Sequence, residues 1–318
     1  MRILVTGGCG FIGSNFIRHM LNKYQDHSII NLDKLTYAGN PDNLKDIEKN
    51  SNYSFVRGDI CDNAVVDKVM QKVDTVIHFA AESHVDRSID DASAFVRTNV
   101  LGTFVLLDSA LENNIKRFVH VSTDEVYGSI SKGSFKETDI LTPSSPYSSS
   151  KAGSDLLAQS YYITHGMPVI ITRCTNNFGP YQYPEKLIPL FITNLIENKK
   201  VPVYGTGKNV RDWIYVEDHC KAIDFVLHEG KNGEIYNIGG GAEKTNLEIT
   251  ETILEILGKD DSMVKYVKDR PGHDLRYSLD CTKLRRLGWA PEQEFDDALY
   301  NTVRWYIENR WWWEKLKR

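Results

Sequence analysis

A short apolar run at the start of the chain leads into a glycine-rich turn and then into an amphipathic stretch. The run is Ile3-Leu4-Val5, and the turn reads Thr6-Gly7-Gly8-Cys9-Gly10-Phe11-Ile12-Gly13. Gly7 permits a tight turn, Gly10 lets the backbone approach a pyrophosphate, and Gly13 lets the following helix pack closely on the strand. The N-terminus of that helix offers free N–H groups and a partial positive charge to phosphate. We therefore predict a dinucleotide-binding unit with these residues at the cofactor: Gly7, Gly10, Phe11, Ile12 and Gly13.

Short apolar runs alternate with longer amphipathic stretches through the first half of the chain. Strands buried on both faces by crossover helices read in this way. We therefore predict an α/β fold, a doubly wound parallel sheet of the Rossmann type with a smaller α/β substrate-binding domain. The candidate strands lie at residues 2–6, 28–32, 53–56, 75–79, 117–121 and 169–172.

The rhythm changes beyond about Thr175, where proline and glycine become frequent. The stretches 213–216 and 235–238 again resemble strands, so we expect the chain to return to the sheet before it ends in helices. The predicted dinucleotide-binding domain is 1–175, rejoined by about 212–238, and the second domain comprises 176–211 and 239–318. Near the end, Trp311-Trp312-Trp313 predicts a helix terminus docked on the core rather than a membrane anchor or a platform for a sugar.

Charge and cysteine content exclude several classes of protein. Lysine and arginine number 38 against 43 aspartate and glutamate, a net charge of −5, so no excess of positive charge faces a nucleic-acid backbone. The 5 cysteines are scattered and never spaced as Cys-X-X-Cys, which argues against a disulfide framework and a zinc cage. The first apolar run is shorter than a signal-peptide core of ~7 to 15 residues, and no run of ~18 apolar residues occurs. We expect a cytoplasmic, soluble protein without metal, nucleic acid or membrane as partner.

Two aspartates follow predicted strands at the same edge as the glycine turn. Asp33 lies twenty residues past Gly13, where a carboxylate accepts hydrogen bonds from ribose hydroxyls and repels a 2′-phosphate. A carboxylate at that position favours NAD over NADP. It also disfavours the alternative interpretation, in which the glycine turn binds no ligand. Asp59 follows the third strand and is predicted beside the adenine, although an aspartate at such a place is also a common helix cap.

Two pairs of polar residues are candidates for chemistry. Tyr147 and Lys151 are four residues apart, so a helix places both on one face, where the ammonium can lower the pKa of the phenol. The phenolate can then take a proton from a substrate hydroxyl, although this spacing is also that of a surface pair.

Asp124 and Glu125 follow the fifth strand, at the edge where open sheets bind ligands. If both are desolvated, repulsion keeps one protonated while the other ionises, which supplies an acid and a base; on an ordinary loop both would be solvated.

Longer motifs give the chain a resemblance to a known family. Besides the glycine turn and Tyr147-Ser148-Ser149-Ser150-Lys151, they lie at residues 33–39 (DKLTYAG), 78–86 (HFAAESHVD), 122–128 (STDEVYG), 176–181 (NNFGPY), 184–189 (PEKLIP), 211–213 (RDW) and 270–274 (RPGHD). With these motifs the sequence resembles the extended short-chain dehydrogenase/reductases, and among them the dTDP-glucose 4,6-dehydratases, over essentially its whole length. It departs from that pattern at Thr175 and Phe178, where serine and tyrosine are usual, and both changes keep the size of the side chain.

The resemblance implies a reaction and a role for each catalytic residue. Tyr147, aided by Lys151 and Thr123, would take the proton from the hydroxyl on sugar carbon 4 as a hydride passes to NAD. Glu125 would then take the proton of carbon 5, Asp124 would protonate the hydroxyl that leaves carbon 6, and the hydride would return to carbon 6. dTDP-glucose would become dTDP-4-keto-6-deoxyglucose and water. NAD would stay tightly bound and be regenerated in each turnover.

The resemblance also assigns two binding sites. For NAD it adds these residues to the glycine turn, Asp33 and Asp59: Lys34, Thr36, Ile60, Ala80, Ala81, Ser83, Asn99, Tyr147 and Lys151. For the sugar nucleotide it implies Asn176, Arg211 and Arg270 at the diphosphate, with the following around the rest: Ser83, Thr123, Lys186, Leu187, Pro202, Tyr204, Asn246 and His273. It further implies a homodimer formed by the helices near 92–113 and 147–165.

Other functions stay open at this point. A sugar-nucleotide 4-epimerase or decarboxylase shares the fold but does not need the acid and base that Asp124 and Glu125 would supply for loss of water. Another NAD-dependent sugar-nucleotide 4,6-dehydratase also fits, because no spacing separates thymidine from uridine or cytidine. A GDP-mannose dehydratase is disfavoured, since that relative uses NADP and Asp33 repels a 2′-phosphate. A non-catalytic NAD-binding sensor would have no reason to keep Tyr147 and Lys151 together.

Overall fold

A computed structural model gives the fold of the chain and describes residues 1–269 and 273–317. The strands are β1 (Arg2–Thr6), β2 (Ser28–Asp33), β3 (Tyr53–Arg57), β4 (Thr75–His78), β5 (Arg117–Thr123), β6 (Val169–Cys174), β7 (Asn176–Phe178), β8 (Val201–Tyr204), β9 (Val210–Tyr215), β10 (Ile235–Ile238), β11 (Ala242–Thr245) and β12 (Val264–Val267). The helices are α1 (Phe11–Lys23), α2 (Asn63–Met70), α3 (Val85–Asp90), α4 (Ser93–Phe95), α5 (Thr103–Glu112), α6 (Pro146–His165), α7 (Leu187–Ile196), α8 (Val216–Glu229), α9 (Asn246–Ile256), α10 (Thr282–Leu287), α11 (Phe295–Glu308) and α12 (Arg310–Trp313). A π-helical stretch, Val96–Gly102, joins α4 to α5, and short 3₁₀ helices lie at Pro41–Leu44, Asp124–Tyr127, Asp261–Met263 and Glu314–Lys317.

One large parallel sheet forms the centre of the molecule, with strand order β10-β6-β5-β4-β1-β2-β3. The chain order reverses between β1 and β4, so the carboxyl ends of these neighbouring strands leave a crevice in which open α/β sheets bind ligands. Each of the six predicted strands begins at the predicted residue. The predicted fold class, a doubly wound parallel sheet of the Rossmann type, is confirmed.

The large sheet is covered on both faces because successive side chains of a strand point to opposite sides. In β1, Ile3 and Val5 pack in one apolar cluster with residues of α1 and α8, whereas Leu4 packs in another with residues of α2, α5 and α6. All three side chains are fully buried. Burial on both faces explains why the strand reads as a continuous apolar run rather than an alternating one.

A second, smaller part of the molecule has its own sheets and core. In its three-stranded sheet, β9 pairs parallel with β7 and antiparallel with β11, while β8 and β12 form a parallel pair. Apolar residues of α7, α9 and α11 pack there with Trp312 and Trp313, which are buried as the sequence predicts for a docked helix end. The stretch from Trp213 to Tyr215 therefore belongs to the small sheet, and β10 is the strand that rejoins the large sheet beside β6.

Helix α6 begins at the carboxyl edge of the large sheet, and its start is fixed by local sequence. Ser145 and Ser148 form a reciprocal capping box, and Pro146 occupies the first turn, where its missing N–H has no cost. Gly166 ends the helix in the left-handed conformation. These signals position the first two turns of α6, which carry Tyr147 and Lys151, against the end of β5.

One helical stretch is more apolar than the sequence analysis suggests. Ser93–Glu112 spans 20 residues with a hydropathy of 1.3, which by length and composition alone is enough to cross a membrane. Half of it is buried inside the protein, where Val105, Leu106 and Leu107 pack beneath the large sheet. A core helix with an apolar outer face accounts for this composition.

Asp224 of α8 ties that helix to α1 and is almost fully buried. Its carboxylate accepts a hydrogen bond from Lys23 Nζ at 2.7 Å and from the Tyr24 hydroxyl at 3.1 Å, and His19 Nε2 lies at 2.8 Å. Burial by itself raises the pKa of Asp224, but the contacts with His19 and Lys23 outweigh it and lower the pKa to about 2. The ionised carboxylate is thus part of what holds the two helices together.

Replacing Asp224 by asparagine is expected to lower the free energy of unfolding at neutral pH by about 2.5 kcal/mol, because the pKa of about 2 lies nearly two units below that of an unfolded aspartate and each unit is worth about 1.4 kcal/mol. Since the folded pKa is depressed, this contribution is present above about pH 4 and is lost as the pH falls towards about 2. Urea unfolding at neutral and acidic pH measures both effects. The matched control is Asp46→Asn, because Asp46 also pairs with α1, through Arg18 at 2.8 Å, but is half exposed and should contribute less than ~1 kcal/mol. Equal losses in the two variants would refute the assignment.

Candidate active site

The glycine turn between β1 and α1 leaves no space for side chains. Gly7 has a φ of +71°, and a Cβ there would lie 2.7 Å from the backbone of Ala80. A Cβ on Gly13 would lie 2.4 Å from the carbonyl oxygen of Gly7. Gly10 stands at the N-cap of α1 and brings no capping side chain to the helix N-terminus. The turn therefore presents bare backbone and a helix N-terminus, which suits a pyrophosphate.

Asp33 lies at the end of β2 beside this turn and is buried. Its carboxylate accepts hydrogen bonds from the backbone N–H of Cys9 at 2.9 Å and of Leu35 at 2.8 Å. Burial raises the pKa of Asp33, and these two bonds offset part of the effect. Lys34 forms an ion pair with Asp59, with 2.8 Å between Nζ and Oδ2. The two carboxylates predicted for the adenosine end thus stand on the ends of neighbouring strands.

A cavity of about 330 Å³ opens over the turn at the crevice between β1 and β4. Every residue predicted to bind NAD lines it except Asn99. Asn99 is buried, and its amide accepts from the N–H of Glu82 at 2.9 Å and donates to the carbonyl of Glu82 at 3.0 Å and to Ser150 Oγ at 2.8 Å. The side chain of Asn99 supports the wall of the cavity from behind through its bonds to Glu82 and Ser150, and its direct contact with NAD stays a prediction.

The end of β5 carries the three acidic and hydroxyl side chains predicted for catalysis. The Thr123 hydroxyl caps the 3₁₀ turn by accepting from the N–H of Glu125 at 3.2 Å, and it donates to Asp124 Oδ1 at 3.2 Å. Asp124 is buried, and its Oδ2 has no hydrogen-bond partner among the described residues. Burial and then the charge of Glu125 raise the pKa of Asp124 well above its usual range. These effects favour the protonated form of Asp124, which lies behind the wall of the cavity that Thr123 and Glu125 line.

Tyr147 and Lys151 both line the same cavity from α6 and are both buried. Burial raises the pKa of Tyr147 well above its usual range, the charge of Glu125 raises it further, and a hydrogen bond with Thr123 lowers it in part. Lys151 donates to the carbonyl of Val121 at 2.8 Å, and burial lowers the pKa of its ammonium. The net shift of the Tyr147 pKa is therefore upward in this structure, and the lowering of that pKa by Lys151 stays a prediction.

A second cavity, of about 470 Å³, adjoins the first on the side of the smaller part. Its lining includes these residues predicted for the sugar nucleotide: Ser83, Asn176, Lys186, Leu187, Pro202, Tyr204, Arg211, Asn246 and His273. Thr123 lines the first cavity instead, and Arg270 lies outside the described residues. The cavity therefore gathers, from five elements and loops far apart in the chain, most of the side chains predicted to bind one ligand.

Arg211 and Lys186 bring positive charge to this second cavity. The Arg211 guanidinium stacks 4.3 Å above the ring of Tyr277 and donates to the carbonyl of Asp274 at 2.9 Å. Lys186 Nζ donates to the carbonyl of Ser83 at 3.0 Å. Both cations are partly buried, so an anionic ligand would meet them with little competition from water.

The two cavities share part of their walls, and Glu125 is among the shared residues. The others that line both are Ser83, Asn176, Asn177, Gln182, Glu185 and Lys186. A ligand in the second cavity can therefore reach one in the first at Glu125. Among the described residues, no three histidine, cysteine or acidic side chains are grouped so as to hold a metal ion, and all five cysteines are free.

Several residues that face these cavities were not among those predicted from the sequence. Tyr277 and Asp274 line the second cavity, and the Tyr277 hydroxyl donates to Asp274 Oδ2 at 2.6 Å. Tyr277 lies in an irregular segment without periodicity, so only the fold reveals its position, whereas Asp274 is the last residue of the motif at 270–274. Asn177, Gln182 and Glu185 line both cavities. Asn177 and Glu185 belong to motifs that the sequence analysis noted, and this was the available signal.

Comparison with known proteins adds independent findings. A family model described as GDP-mannose 4,6 dehydratase matches residues 4–302. The dTDP-glucose 4,6-dehydratase of Streptomyces niveus is 56% identical over 322 residues, covering 100% of this chain and 96% of that protein. The crystal structure of DesIV, a dTDP-glucose 4,6-dehydratase from Streptomyces venezuelae with NAD bound, has a TM-score of 0.98 at 56% identity and covers 99% of this chain and 100% of that one. The dTDP-glucose 4,6-dehydratase of Bacillus anthracis in complex with NAD has a TM-score of 0.94 at 51% identity, covering 99% of each chain.

Proposed function

The chain belongs to the family described as GDP-mannose 4,6 dehydratase, and within that family we infer that it is an NAD-dependent dTDP-glucose 4,6-dehydratase. Two relatives with the name dTDP-glucose 4,6-dehydratase are 56% and 53% identical to it over 100% and 98% of its length. The reaction converts dTDP-glucose to dTDP-4-keto-6-deoxyglucose and water. One observation of the site carries the proposal. Thr123, Glu125, Tyr147 and Lys151 line one cavity together with the glycine turn, and Glu125 also lines the neighbouring cavity.

The residues of the first cavity fit NAD. The turn around Gly7 and Gly13 excludes side chains where a pyrophosphate would lie, and the Asp33 carboxylate stands ready for ribose hydroxyls. When bound, NAD accepts the hydride from sugar carbon 4 and returns it to carbon 6 within the same turnover. The protein has to hold both ligands, exclude water and move three protons.

The first proton is that of the hydroxyl on carbon 4, and Tyr147 is its acceptor in our proposal. The Thr123 hydroxyl interacts with the phenol, and the Lys151 ammonium sits one helical turn further along α6. Because the pKa of Tyr147 is raised in this structure, the phenolate needs positive charge close to it in order to form. Lys151 is the cation of this chain that our proposal assigns to this role.

The other two protons belong to the elimination of water. The ketone at carbon 4 acidifies the hydrogen of carbon 5, and Glu125, which lines both cavities, takes that proton. Asp124 is the proposed donor of a proton to the hydroxyl that leaves carbon 6 as water, since burial and the charge of Glu125 raise its pKa and favour the protonated form. When the hydride reaches carbon 6, Glu125 gives its proton back to carbon 5, which completes the 4-keto-6-deoxy sugar. Neighbouring carboxyls with opposite protonation states are the arrangement that acid and base catalysis requires.

We propose that the second cavity binds the nucleotide portion of the substrate. Arg211 and Asn176 would contact the diphosphate, and the remaining lining residues would surround the base and ribose. Arg270 is assigned to the diphosphate on the sequence alone. The domain division into 1–175 with about 212–238, and 176–211 with 239–318, stays a prediction, with β9 contributing to the smaller part.

We also propose a cytoplasmic homodimer that has no nucleic acid or membrane as partner. Apolar side chains stand exposed on the two helical regions predicted for the interface: Val96, Leu101, Phe104, Leu156 and Ile163. A second copy of the chain that packs these faces together would bury them, as in other interfaces between helices. The net charge of −5 argues against nucleic acid.

The experiment for the proposed function is turnover of dTDP-, UDP- and CDP-glucose by the purified protein with NAD. We expect dTDP-glucose to give a keto sugar that absorbs ultraviolet light in alkali, without net formation of NADH, and to react fastest of the three. A product that is dTDP-galactose would indicate a 4-epimerase, and steady accumulation of NADH an ordinary dehydrogenase. NAD binding without any turnover would indicate the non-catalytic sensor. Each of these three outcomes refutes the proposal.

A further inference from the structure

The C-terminal helix contacts the cofactor cavity through a single buried tryptophan. Trp312 lines the 330 Å³ cavity, although only six residues follow it in the sequence. Its indole is 1% exposed and packs edge-on against Tyr181 and Trp305, with ring centroids 5.7 Å and 5.3 Å away. Its Nε1–H donates to Asn43 Oδ1 at 2.7 Å. Trp312 belongs neither to the glycine turn nor to the proposed catalytic groups, so its place at the cavity has no role in the function proposed above.

Asn43 links Trp312 to the glycine turn by hydrogen bonds. Its Nδ2 donates to the carbonyl of Cys9 at 2.9 Å, so both polar atoms of the buried amide are used. The N–H of Cys9 in turn donates to Asp33 Oδ2 at 2.9 Å. Three hydrogen bonds thus run from Trp312 through Asn43 and Cys9 to the carboxylate predicted to bind the ribose of NAD.

We propose that Trp312 and Asn43 are positioning residues for NAD, and that the C-terminal helix sets how tightly the protein holds its cofactor. The inference rests on the proposed NAD site, and it concerns binding rather than the chemistry of the sugar. The Trp312 indole orients the Asn43 amide, the amide holds the carbonyl of Cys9, and the N–H of the same residue donates to Asp33, so the backbone on both sides of the Cys9 Cα is fixed. When the donor on Trp312 is removed, the buried amide loses a partner and the turn populates orientations that do not bind.

The C-terminal segment has further contacts that suit this role. Lys315 forms an ion pair with Asp42, next to Asn43. Lys317 Nζ donates to Asn194 Oδ1 at 2.8 Å and to Glu197 Oε2 at 2.9 Å, in and directly after α7 of the smaller part. The segment therefore spans from the cofactor turn to the substrate side of the molecule.

The test compares Trp312→Phe with Trp313→Phe. Trp313 is a matched control, because it is equally buried in the next position and its Nε1–H donates to the carbonyl of Tyr306 at 2.7 Å, away from both cavities. Equilibrium dialysis with radiolabelled NAD, without any sugar nucleotide, gives the dissociation constant of each cofactor-stripped variant. We expect about a tenfold weaker binding for Trp312→Phe and less than a twofold change for Trp313→Phe. Equal affinities in the two variants would overturn the inference.

A double-mutant cycle tests the path through Asn43. We expect Asn43→Ala to weaken NAD binding by about tenfold or more, and Trp312→Phe to add less than about twofold in its presence, since both act on one hydrogen bond. Independent effects that multiply would show that Trp312 acts by another route and would overturn the inference. Urea unfolding of each variant separates a general loss of stability from a loss of NAD affinity. A protein that binds NAD but does not dehydrate dTDP-glucose would refute the proposed function alone, while the ratios of NAD affinity still decide this inference.

Discussion

Tyr147→Phe is expected to lower kcat for dehydration of dTDP-glucose by about a thousandfold, within the range that removal of a general base produces. The substitution deletes one oxygen and keeps the ring, which contacts Phe95 edge-on with 6.3 Å between centroids. Without the phenol, the cavity lacks the group that our proposal assigns to take the proton of the carbon 4 hydroxyl. The initial rate of keto-sugar formation at saturating dTDP-glucose and NAD measures the loss.

The matched control for this experiment is Tyr161→Phe. Tyr161 lies on the same helix, is as buried as Tyr147, and bonds through its hydroxyl to Asp108 Oδ1 at 3.3 Å, away from both cavities. We expect that variant to keep kcat within about twofold, as a substitution outside the site should. A Tyr147→Phe enzyme that retained a tenth of the activity would exclude the phenol as the base. Dissociation constants for NAD should be similar in both variants, which shows that the loss is in the chemistry.

Local signals in the sequence were sufficient for the large sheet and the cofactor turn. A strand, a turn and a helix are contiguous at Gly7 to Gly13, so their geometry follows from sterics within a few residues. The six apolar strands could be placed because burial on both faces removes the alternation that would otherwise complicate the pattern. The stretch at Trp213 could not be placed, since its pairing with β7 and β11 depends on partners distant in the chain.

Three features of the site could be established only from the three-dimensional structure. Asn99 was assigned to NAD by resemblance, yet its amide is consumed by Glu82 and Ser150, which no pattern along the chain reveals. The electrostatic effect of Lys151 on Tyr147 was inferred from their spacing, but spacing does not report burial, and burial raises the pKa of Tyr147. Trp312 was predicted to dock on the core, and only the tertiary structure shows that it also lines the cofactor cavity.

The role of Asp124 shows where sequence reasoning and structure meet. Two adjacent acidic residues at the end of β5 suggest an acid and a base, but the sequence cannot say which carboxyl holds the proton. In the fold, Asp124 turns inward and is 3% exposed, while Glu125 lines both cavities. Burial and the neighbouring charge raise the pKa of Asp124, which supports our proposal that Asp124 is the acid and Glu125 the base.

Glu125→Gln is expected to stop the reaction after the first oxidation and to lower overall turnover by about a thousandfold. The amide cannot take the proton of carbon 5, so the 4-keto intermediate has no path to elimination. Tyr147, Lys151 and Thr123 remain, so oxidation at carbon 4 should proceed. The variant should therefore separate two steps that follow each other too quickly in the unaltered enzyme to be observed apart.

The control is Glu217→Gln, a change of the same kind at the start of α8, outside the lining of both cavities. It should turn over dTDP-glucose at the normal rate without lasting absorbance at about 340 nm. An amide at position 125 also removes a negative charge beside Asp124. The NAD affinity of both variants is therefore measured before the reaction is started.

The absorbance at 340 nm of stoichiometric Glu125→Gln enzyme mixed with dTDP-glucose tests most directly that one site oxidises, dehydrates and reduces the same sugar. The account predicts a lasting rise that approaches one equivalent of NADH per active site, with no 6-deoxy product. Dehydration at the normal rate, or the absence of any NADH while the variant binds NAD normally, would contradict it.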